Sequence, residues 1–285
     1  MTVSVLILTK NEERDLPGCL ATVTWCDDVH VLDSVSTDRT REIATAAGAT
    51  VTVRPFDNWS THQNWGLANV PFRHPWVLYI DADERVTPEL AQAVLAAAGS
   101  PGDRVAFRVR RRDFFLGRWL RRVQSTAWYP RLFRPTHLRY ERLVNPVSRI
   151  DGPAGVVDGY LDHFPFSKGV DFWFERHNRY SRLEAEQILL DRAAGSRPSL
   201  RTALFARDAN VRRHHQKQLY YRLPCRPLIK FLGLYLAKGG FLDGRPGLMY
   251  AQMVACYERM IAIKVRELEA ERRDRPADAA PAVSA

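Results

Sequence analysis

The sequence predicts an α/β fold in which helices flank a mostly parallel sheet. Short apolar, β-branched runs typical of buried strands recur through the first hundred residues. Segments with helix signals separate them; Gly48, for example, follows the helical pattern of residues 37–47 as a stop signal. Such alternation of strands and helices is characteristic of a parallel sheet covered by helices.

Each element follows from its local pattern. The predicted strands are Val3–Leu8, Val29–Asp33, Thr50–Arg54, Trp76–Ile80 and Val105–Arg110. The predicted helices cover residues 12–24, 37–47 and 60–69, with a fourth that Thr87 caps and Pro88 begins. Residues 111–165 are rich in arginine, aromatics, glycine and proline, which favours loops and short strands.

The helical period returns after this stretch. Residues 169–192 repeat aromatic and apolar side chains at three- and four-residue steps, and apolar segments follow at 227–237 and 247–263. The predicted organisation is therefore an α/β domain over residues 1–165, a helical C-terminal region over 166–273 and a disordered tail over 274–285.

Composition excludes several classes of protein. The 285 residues include 42 Lys and Arg against 32 Asp and Glu, so the net charge is +10, while 46% of residues are hydrophobic. This composition is typical of a globular protein and excludes a collagen-like or disordered chain. The positive net charge favours an anionic partner. Residues 197–230 hold nine basic residues against one acid, but no recognisable nucleic-acid module accompanies them, so we expect no nucleic-acid partner.

Cysteine use and the N-terminal sequence favour a cytoplasmic protein. The four cysteines form no CxxC pair and no zinc-type spacing, which is typical of a reducing compartment. The N-terminal apolar run is too short for a signal peptide, and no stretch reaches the length of a membrane span.

Acidic and polar residues follow three of the predicted strands. Thr9, Asn11 and Glu12 follow the first, Asp33 ends the second, and an Asp-Ala-Asp-Glu run at 81–84 follows the fourth. In open parallel sheets, ligands bind at the edge where the carboxyl ends of the strands meet, and these residues lie at that edge. Clustered carboxylates repel one another unless a cation joins them, and hard oxygen ligands suit Mn²⁺ or Mg²⁺ carrying a nucleotide diphosphate. No glycine-rich dinucleotide or P-loop fingerprint is present, which excludes nicotinamide dehydrogenases and P-loop NTPases.

The segments VSVLILTKNEERDLPGCL, VHVLDSVSTDRTREIA and WVLYIDADERVTPEL resemble glycosyltransferase family 2. The resemblance continues through RRRDFFLGRWL, WYPRLFR and ERHNRYSRLEA to about residue 260, and is strongest to bacterial lipopolysaccharide-core β-glucosyltransferase-like proteins. It implies a GT-A fold, a nucleotide-sugar donor, a divalent metal and inversion at the anomeric carbon.

The resemblance also implies roles for individual residues. The implied nucleotide-sugar contacts are Thr9, Asn11, Glu12, Asp33, Ser34, Asp38, His62, Gln63, Asn64, Asp81, Ala82 and Asp83. Asp83 is the implied main metal ligand, with Asp81 and His163 beside it. The basic and aromatic stretch after residue 110 predicts acceptor contacts at Arg112, Trp128 and Tyr129.

The chain departs from the family pattern in two places. Val35 stands where relatives have a glycine, and Leu143–Pro146 stands where they carry Val-His-Glu. An inverting transfer needs a general base. Glu141 is the predicted substitute, and Asp113 and Asp151 are weaker candidates. Glu84 is a further catalytic candidate, which either contacts the sugar or supports the residues that do.

These observations predict a metal-dependent, inverting hexosyltransferase. It would move a sugar from a nucleotide-diphosphate donor, first of all a UDP-sugar, to a hydroxyl of a glycan, glycolipid or small molecule. One alternative is a catalytically degenerate transferase that serves as a membrane-surface scaffold. The other is a nucleotidyltransferase, although the usual glycine-rich loop is absent after the first strand.

The apolar C-terminal segments lead to two further expectations. Lys230 and Lys238 flank a stretch too short to cross a bilayer. Such a pattern suits an interfacial helix hairpin on the anionic inner face of the cell membrane. The alternatives are a homodimer interface and a helical lid.

Overall fold

A computed structural model describes residues 2–124, 128–141, 147–195, 198–206 and 209–274. The chain divides into two compact units. The first comprises the residues up to Arg121 and those from 125 to Lys168; the second comprises Arg122–Gln124 and the residues from Gly169 onward.

The first unit contains the sheet. Its strands in the described residues are β1 (Val3–Thr9), β2 (Val29–Asp33), β3 (Thr50–Val53), β4 (Trp76–Asp81), β5 (Glu84–Val86), β6 (Ala106–Phe115), β7 (Arg118–Trp119), β8 (Trp128–Phe133), β9 (Leu138–Glu141), β10 (Val147–Ile150) and β11 (Ala154–His163). Its helices are α1 (Leu16–Ala21), α2 (Thr40–Ala46), α3 (Trp59–Asn69) and α4 (Pro88–Gly99).

The strands of the large sheet follow the order β3-β2-β1-β4-β8-β6-β11-β5, and β7 pairs with β6. The first four strands are mutually parallel, as are β6 and β11, whereas β8 and β5 are antiparallel to their neighbours. Thr9 pairs with Asp33 and Leu8 with Asp81, so three strand ends meet at one edge. The predicted α/β class, with a mainly parallel central sheet and flanking helices, is confirmed.

Local chemistry explains these elements. All seven residues of β1 are buried, as the apolar run predicted. The Thr87 side chain accepts a hydrogen bond from the Leu90 amide and caps α4, and Asn58 caps α3 through the Thr61 amide in the same way.

The largest difference between the predicted and the observed secondary structure lies in residues 111–165, which were predicted as loops and short strands. β6 continues to Phe115, and β11 is a ten-residue strand. The glycines of β11 hid it from pattern analysis, because they interrupt the apolar alternation. Gly159 has φ +108°, and a Cβ there would lie 2.8 Å from the Leu90 backbone, so this glycine lets α4 pack against the strand.

Asp28 anchors the opposite edge of the sheet. Its carboxylate accepts hydrogen bonds from the Ser4 hydroxyl and from the amide and Nε of Arg73, and it contacts His30. Burial opposes its charge, but these donors outweigh burial and hold the pKa of Asp28 at about 2.

Asp28→Asn is therefore expected to lower the free energy of unfolding by about 2 kcal/mol at pH 7. Because the folded-state pKa is depressed, this stabilisation is present above pH 4 and is lost as pH falls toward 2. Urea unfolding at pH 7 and pH 3 checks it. The control is Asp27→Asn, which removes an exposed carboxylate and is expected to lower the free energy of unfolding much less. Equal losses from the two variants would contradict the assignment.

The second unit is helical. Its helices are α5 (Gly169–Ala193), α6 (Leu200–Phe205), α7 (Ala209–Tyr220), α8 (Arg226–Leu232) and α9 (Gly244–Asp274), with a π-helical turn at Gly233–Ala237 and a 3-10 helix at Gly240–Asp243. Helix α5 packs on α9 through Ile188, Leu189, Ile261 and Val265. The Asp243 carboxylate accepts hydrogen bonds from the amides of Arg122 and Val123, 2.8 Å from each nitrogen, which ties that short segment to this unit. Apart from Asp274, the predicted tail lies outside the described residues.

Candidate active site

Asp33 joins the two loops that follow β1 and β2. Its carboxylate is fully buried and accepts hydrogen bonds from Thr9 Oγ1 at 2.8 Å, from the Ser36 amide at 2.7 Å and from the Ser36 hydroxyl. Asn11 extends the connection, because its Oδ1 accepts from the Thr37 amide at 2.8 Å. Asp33 therefore braces both loops, and its contact with a base stays a prediction.

Asp38 and Ser34 complete this loop pair. Asp38 accepts from the amides of Glu13 and Thr40 and so fixes the entry to α2. The Ser34 hydroxyl lies 3.2 Å from His62 Nε2.

Val35 occupies a strained position between them. Its φ is +61°, the left-handed region in which a β-branched residue is unfavourable. The Lys10 ammonium holds the turn in place by donating to the carbonyls of Ser34 and Val35. A glycine at this position would adopt the same φ without strain.

Val35→Gly is expected to raise the free energy of unfolding by about 1 kcal/mol, because the strain released exceeds the added backbone entropy. Urea unfolding measures it. Val53→Gly is the matched control: Val53 is a similarly exposed valine, but it lies in β3, so its removal should destabilise by about 1 kcal/mol. Destabilisation by both variants would show that the turn is unstrained.

Helix α3 supplies three of the predicted site residues. His62 is buried between Ser34 and Arg54, whose Nη1 lies 3.0 Å from its Nδ1. Burial and the Arg54 charge lower the pKa of His62, which keeps the imidazole neutral. Gln63 donates to the Tyr79 hydroxyl at 2.9 Å. Asn64 donates to and accepts from the Tyr140 backbone, each at 2.8 Å, so both ends of its amide hold β9.

A buried ion cluster lies at the end of β4. Arg131 Nη2 is 2.6 Å from Glu84 Oε1 and 3.0 Å from Asp81 Oδ2. The other Glu84 oxygen accepts from the Asp81 amide at 2.9 Å, and Tyr79 donates to Asp81 Oδ1. Although burial disfavours its charge, the two carboxylates raise the pKa of Arg131 well above its ordinary value.

Glu84 is 0% exposed, and both of its oxygens are occupied. Of its two predicted roles, this burial favours support of the neighbouring site residues over contact with the sugar. Glu84 positions Arg131 and the Asp81–Asp83 turn. Ala82, in the same turn, is buried, and its carbonyl oxygen accepts a hydrogen bond from Arg85 Nη1 at 3.0 Å.

Asp83 belongs to a second chain of charges. Its Oδ2 lies 3.2 Å from His163 Nε2, and His163 Nδ1 is hydrogen-bonded to Asp113. Asp113 also lies 3.1 Å from Arg111 Nε. Burial opposes the imidazolium, but Asp83 and Asp113 outweigh it and raise the pKa of His163 to about 9. Asp113 is buried and contacts two cations, so in this structure it positions His163.

Four carboxylates and three cations thus share this cluster. Asp81 and Asp83 are its accessible acids, with side chains 35% and 26% exposed, whereas Glu84 and Asp113 are buried. Among the described residues, no three His, Cys, Asp or Glu side chains form a preassembled metal site. Two accessible aspartates still fit Mn²⁺ or Mg²⁺, which bind one or two protein carboxylates and complete their shell with phosphates and water.

Glu12 lies near this cluster. It forms an ion pair of 2.6 Å with Lys168, and its amide donates to Thr40. Burial raises the pKa of Glu12 to about 7, even though Lys168 opposes the shift. Nearby Asp83 contributes to the same rise.

The predicted acceptor residues divide between two faces of β6. Arg110 stacks between Trp128 and Tyr160, with its guanidinium carbon 4.9 Å and 4.7 Å from the two ring centroids. Arg112 also stacks on Tyr160, and Asp162 engages its guanidinium through two hydrogen bonds. Tyr129 instead packs over Arg111, beside the carboxylate cluster.

The remaining candidate bases differ in their surroundings. Glu141 lies on the separate β9–β10 ladder between Arg139 and Arg149, and hydrogen bonds from these two arginines lower its pKa. The backbone amide of Asp151 donates a hydrogen bond to the His137 carbonyl. The departure at Leu143–Pro146 lies outside the described residues.

Sequence reasoning missed two cations of the site, Arg131 and Lys168. A signal for Arg131 existed. It is the one charged residue in the WYPRLF strand, and a buried arginine requires carboxylate partners. The excess of acids after β4 offered those partners.

Comparison with known proteins agrees with this architecture. The model of glycosyl transferase family 2 matches residues 4–154, more than half of the chain. The protein belongs to this family of glycosyltransferases.

Curated relatives extend the match. The lipopolysaccharide core biosynthesis glycosyltransferase LpsC of Rhizobium meliloti is 27% identical over 281 residues, which cover 95% of this chain and 94% of LpsC. An uncharacterized glycosyltransferase of Rickettsia bellii is 29% identical over 174 residues, covering 60% of this chain and 54% of that protein. A solved structure, glucosyl-3-phosphoglycerate synthase of Mycobacterium tuberculosis with Mn²⁺, UDP and glucosyl-3-phosphoglycerate, aligns with a TM-score of 0.33 and 23% identity over 41% of this chain and 44% of that one.

Proposed function

We propose that this protein is an inverting glycosyltransferase that uses a nucleotide-diphosphate sugar, with a UDP-sugar as the first candidate. The observation that carries the proposal is the pair of accessible aspartates, Asp81 and Asp83, at the sheet edge shared with the β1 and β2 loops. Family membership supports the reaction class.

The loops after β1 and β2 are proposed to receive the nucleoside. Hydrogen bonds through Asp33, Asn11 and Lys10 fix these loops before ligand arrives. A rigid loop pair loses little conformational entropy on binding. His62 and Gln63 support the same region from α3, and the buried Oε1 of Gln63 accepts no hydrogen bond from the described residues.

Asp83, with Asp81 beside it, is proposed to hold a divalent cation. The bound cation would supply Lewis-acid stabilisation of the charge on the leaving diphosphate. His163 orients Asp83 from one side, and Asp113 orients His163 in turn. Arg131 and Arg111 neutralise the buried acids of the cluster, so that Asp81 and Asp83 keep a defined geometry.

The proposed acceptor is a hydroxyl of a lipopolysaccharide-core-type glycan or glycolipid. The near full-length match to LpsC supports this class. Tyr129 and Trp128 are exposed aromatic side chains that suit stacking on sugar rings. Glu141 stays the candidate base, although its two arginines make it a weak one at neutral pH.

Calorimetry tests the proposal. UDP, GDP, ADP and dTDP are titrated into the protein with and without Mn²⁺, and Asp83→Ala serves as the control. We expect one nucleotide to bind tightly, only with metal and only to the unaltered protein. If no nucleotide binds, the transferase site is refuted and the degenerate scaffold becomes the better description. Transfer of a nucleotidyl group to a sugar phosphate would favour the nucleotidyltransferase alternative.

A further inference from the structure

The second unit exposes an unusual run of large apolar side chains. Leu228, Leu232 and Leu236 recur at four-residue steps along α8 and the π-helical turn, and Ile229 lies next to Leu228. Each of the four is between 40% and 57% exposed. We call these four residues the apolar stripe. Phe241 and Leu242, in the 3-10 helix that follows, are also about half exposed. Single exposed apolar side chains are ordinary, but six large ones within fifteen residues form a patch that marks an interaction site.

The other side of the same segment is already used for folding. Arg226 and Leu234 are buried, and α8 packs along α9. The segment therefore has two apolar sides, one satisfied by the helical core and one turned outward. A helix in a protein that needs only its core would carry polar residues on the outward side.

Positive charge surrounds the stripe. Residues 226–245 contain Arg226, Lys230, Lys238 and Arg245 against one acid, Asp243, a net of +3. Arg226 is buried on the core side, so the charges that lie around the stripe are those of Lys230, Lys238 and Arg245. Asp243 is buried and holds the amides of Arg122 and Val123, so its charge is directed inward. Burial and the charge of Lys230 lower the pKa of Lys238, which indicates that the two ammonium groups oppose each other.

We propose that the apolar stripe and its flanking lysines dock this protein on the surface of an anionic lipid bilayer. Leucines of an amphipathic helix enter the boundary between headgroups and acyl chains, and lysines contact the anionic headgroups. Within the described residues no helix combines the length and the hydropathy that a bilayer crossing requires. The segment therefore lies along the membrane interface.

Charge favours a membrane over a second copy of the chain. A two-fold dimer through the stripe would place the same surface on both partners. Lys230 and Lys238 of one copy would then face a surface of the same charge, which is unfavourable at an interface that excludes water. Anionic phospholipids satisfy both properties of the surface, because they offer acyl chains to the leucines and phosphates to the lysines.

Vesicle co-sedimentation of the full chain tests the docking surface. We expect binding to vesicles of phosphatidylcholine with phosphatidylglycerol, weaker binding to phosphatidylcholine alone, and loss of the difference at high salt. The double variant Leu232→Ser/Leu236→Ser should weaken binding by at least about tenfold. The double variant Lys230→Gln/Lys238→Gln should weaken binding to the anionic vesicles by about twentyfold and leave the weak binding to phosphatidylcholine unchanged.

The matched control is Leu183→Ser/Leu190→Ser, which removes two similarly exposed leucines from α5. Equal losses from the control and the stripe variant, or no vesicle binding by the unaltered chain, would overturn the proposal. A concentration-dependent dimer that the stripe variant dissolves would overturn it in favour of self-association. Nucleotide binding, measured on every variant, separates this result from the transferase proposal, because either can fail while the other holds.

Discussion

Replacing Arg131 by methionine is expected to lower the free energy of unfolding by about 3–5 kcal/mol, the largest stability effect of any single change in the site. The methionine would leave the fully buried Glu84 carboxylate without its closest cation, 2.6 Å away, and Asp81 without its partner at 3.0 Å. Arg111, 3.7 Å from Glu84, compensates only in part. Urea unfolding at neutral pH measures the loss.

Two further variants make this result specific. Arg139→Met removes an exposed arginine from a surface ion pair and should cost less than about 1 kcal/mol. Adding Glu84→Gln to Arg131→Met should restore about 1–3 kcal/mol, because the buried charge that lost its partner is gone. If Arg131→Met were no more damaging than Arg139→Met, the buried ion pair would not hold the site together.

Asp83→Asn is expected to reduce sugar transfer by about a thousandfold while the protein stays folded. The substitution keeps the size of the side chain and its exposed position but removes the charge that would bind a divalent cation. Metal-dependent nucleotide binding, followed by calorimetry, should disappear together with transfer. Unfolding by urea should show only a partial loss of stability, because Asp83 helps to raise the pKa of His163 but Asp113 still holds the imidazole.

Asp158→Asn provides the comparison for this variant. Asp158 is an aspartate of β11 whose side chain is 95% exposed, and its removal should leave both binding and transfer as they are. Tight nucleotide binding by Asp83→Asn, with the same metal requirement as the unaltered protein, would show that the cation is held elsewhere.

The sequence predicted the parallel half of the fold well, because strands such as Val3–Thr9 and Trp76–Asp81 are buried on both faces and contain near-continuous apolar residues. It failed at β5 and β11. The first has only three residues, and the second includes two glycines and two aspartates. Long-range pairing between these strands, and not local propensity, makes them strands.

The site shows a similar division. Grouping Thr9, Asp33 and Asp81 at one sheet edge needed only the strand assignments, and the register confirms that these strand ends meet. The burial of Glu84 was not predictable in this way, because a glutamate is exposed by default and only its pairing with Arg131 makes burial tolerable. The substrate contacts of individual residues stay predictions that ligand binding by variants tests.

The pairing of β5 with β11 has a consequence for synthesis of the chain. Glu84 and His163 are 79 positions apart in the sequence, yet they lie in paired positions of neighbouring strands. At about 5–20 residues per second, a ribosome makes the second about 4–16 s after the first. During that interval the acids at 81–84 wait first for Arg111, then for Arg131 and last for His163 to be synthesised. Strand β5 likewise lacks its neighbouring strand until β11 is made. We therefore expect nascent chains to acquire this site only after β11 has left the ribosome, whereas the β1–β4 core can assemble much earlier.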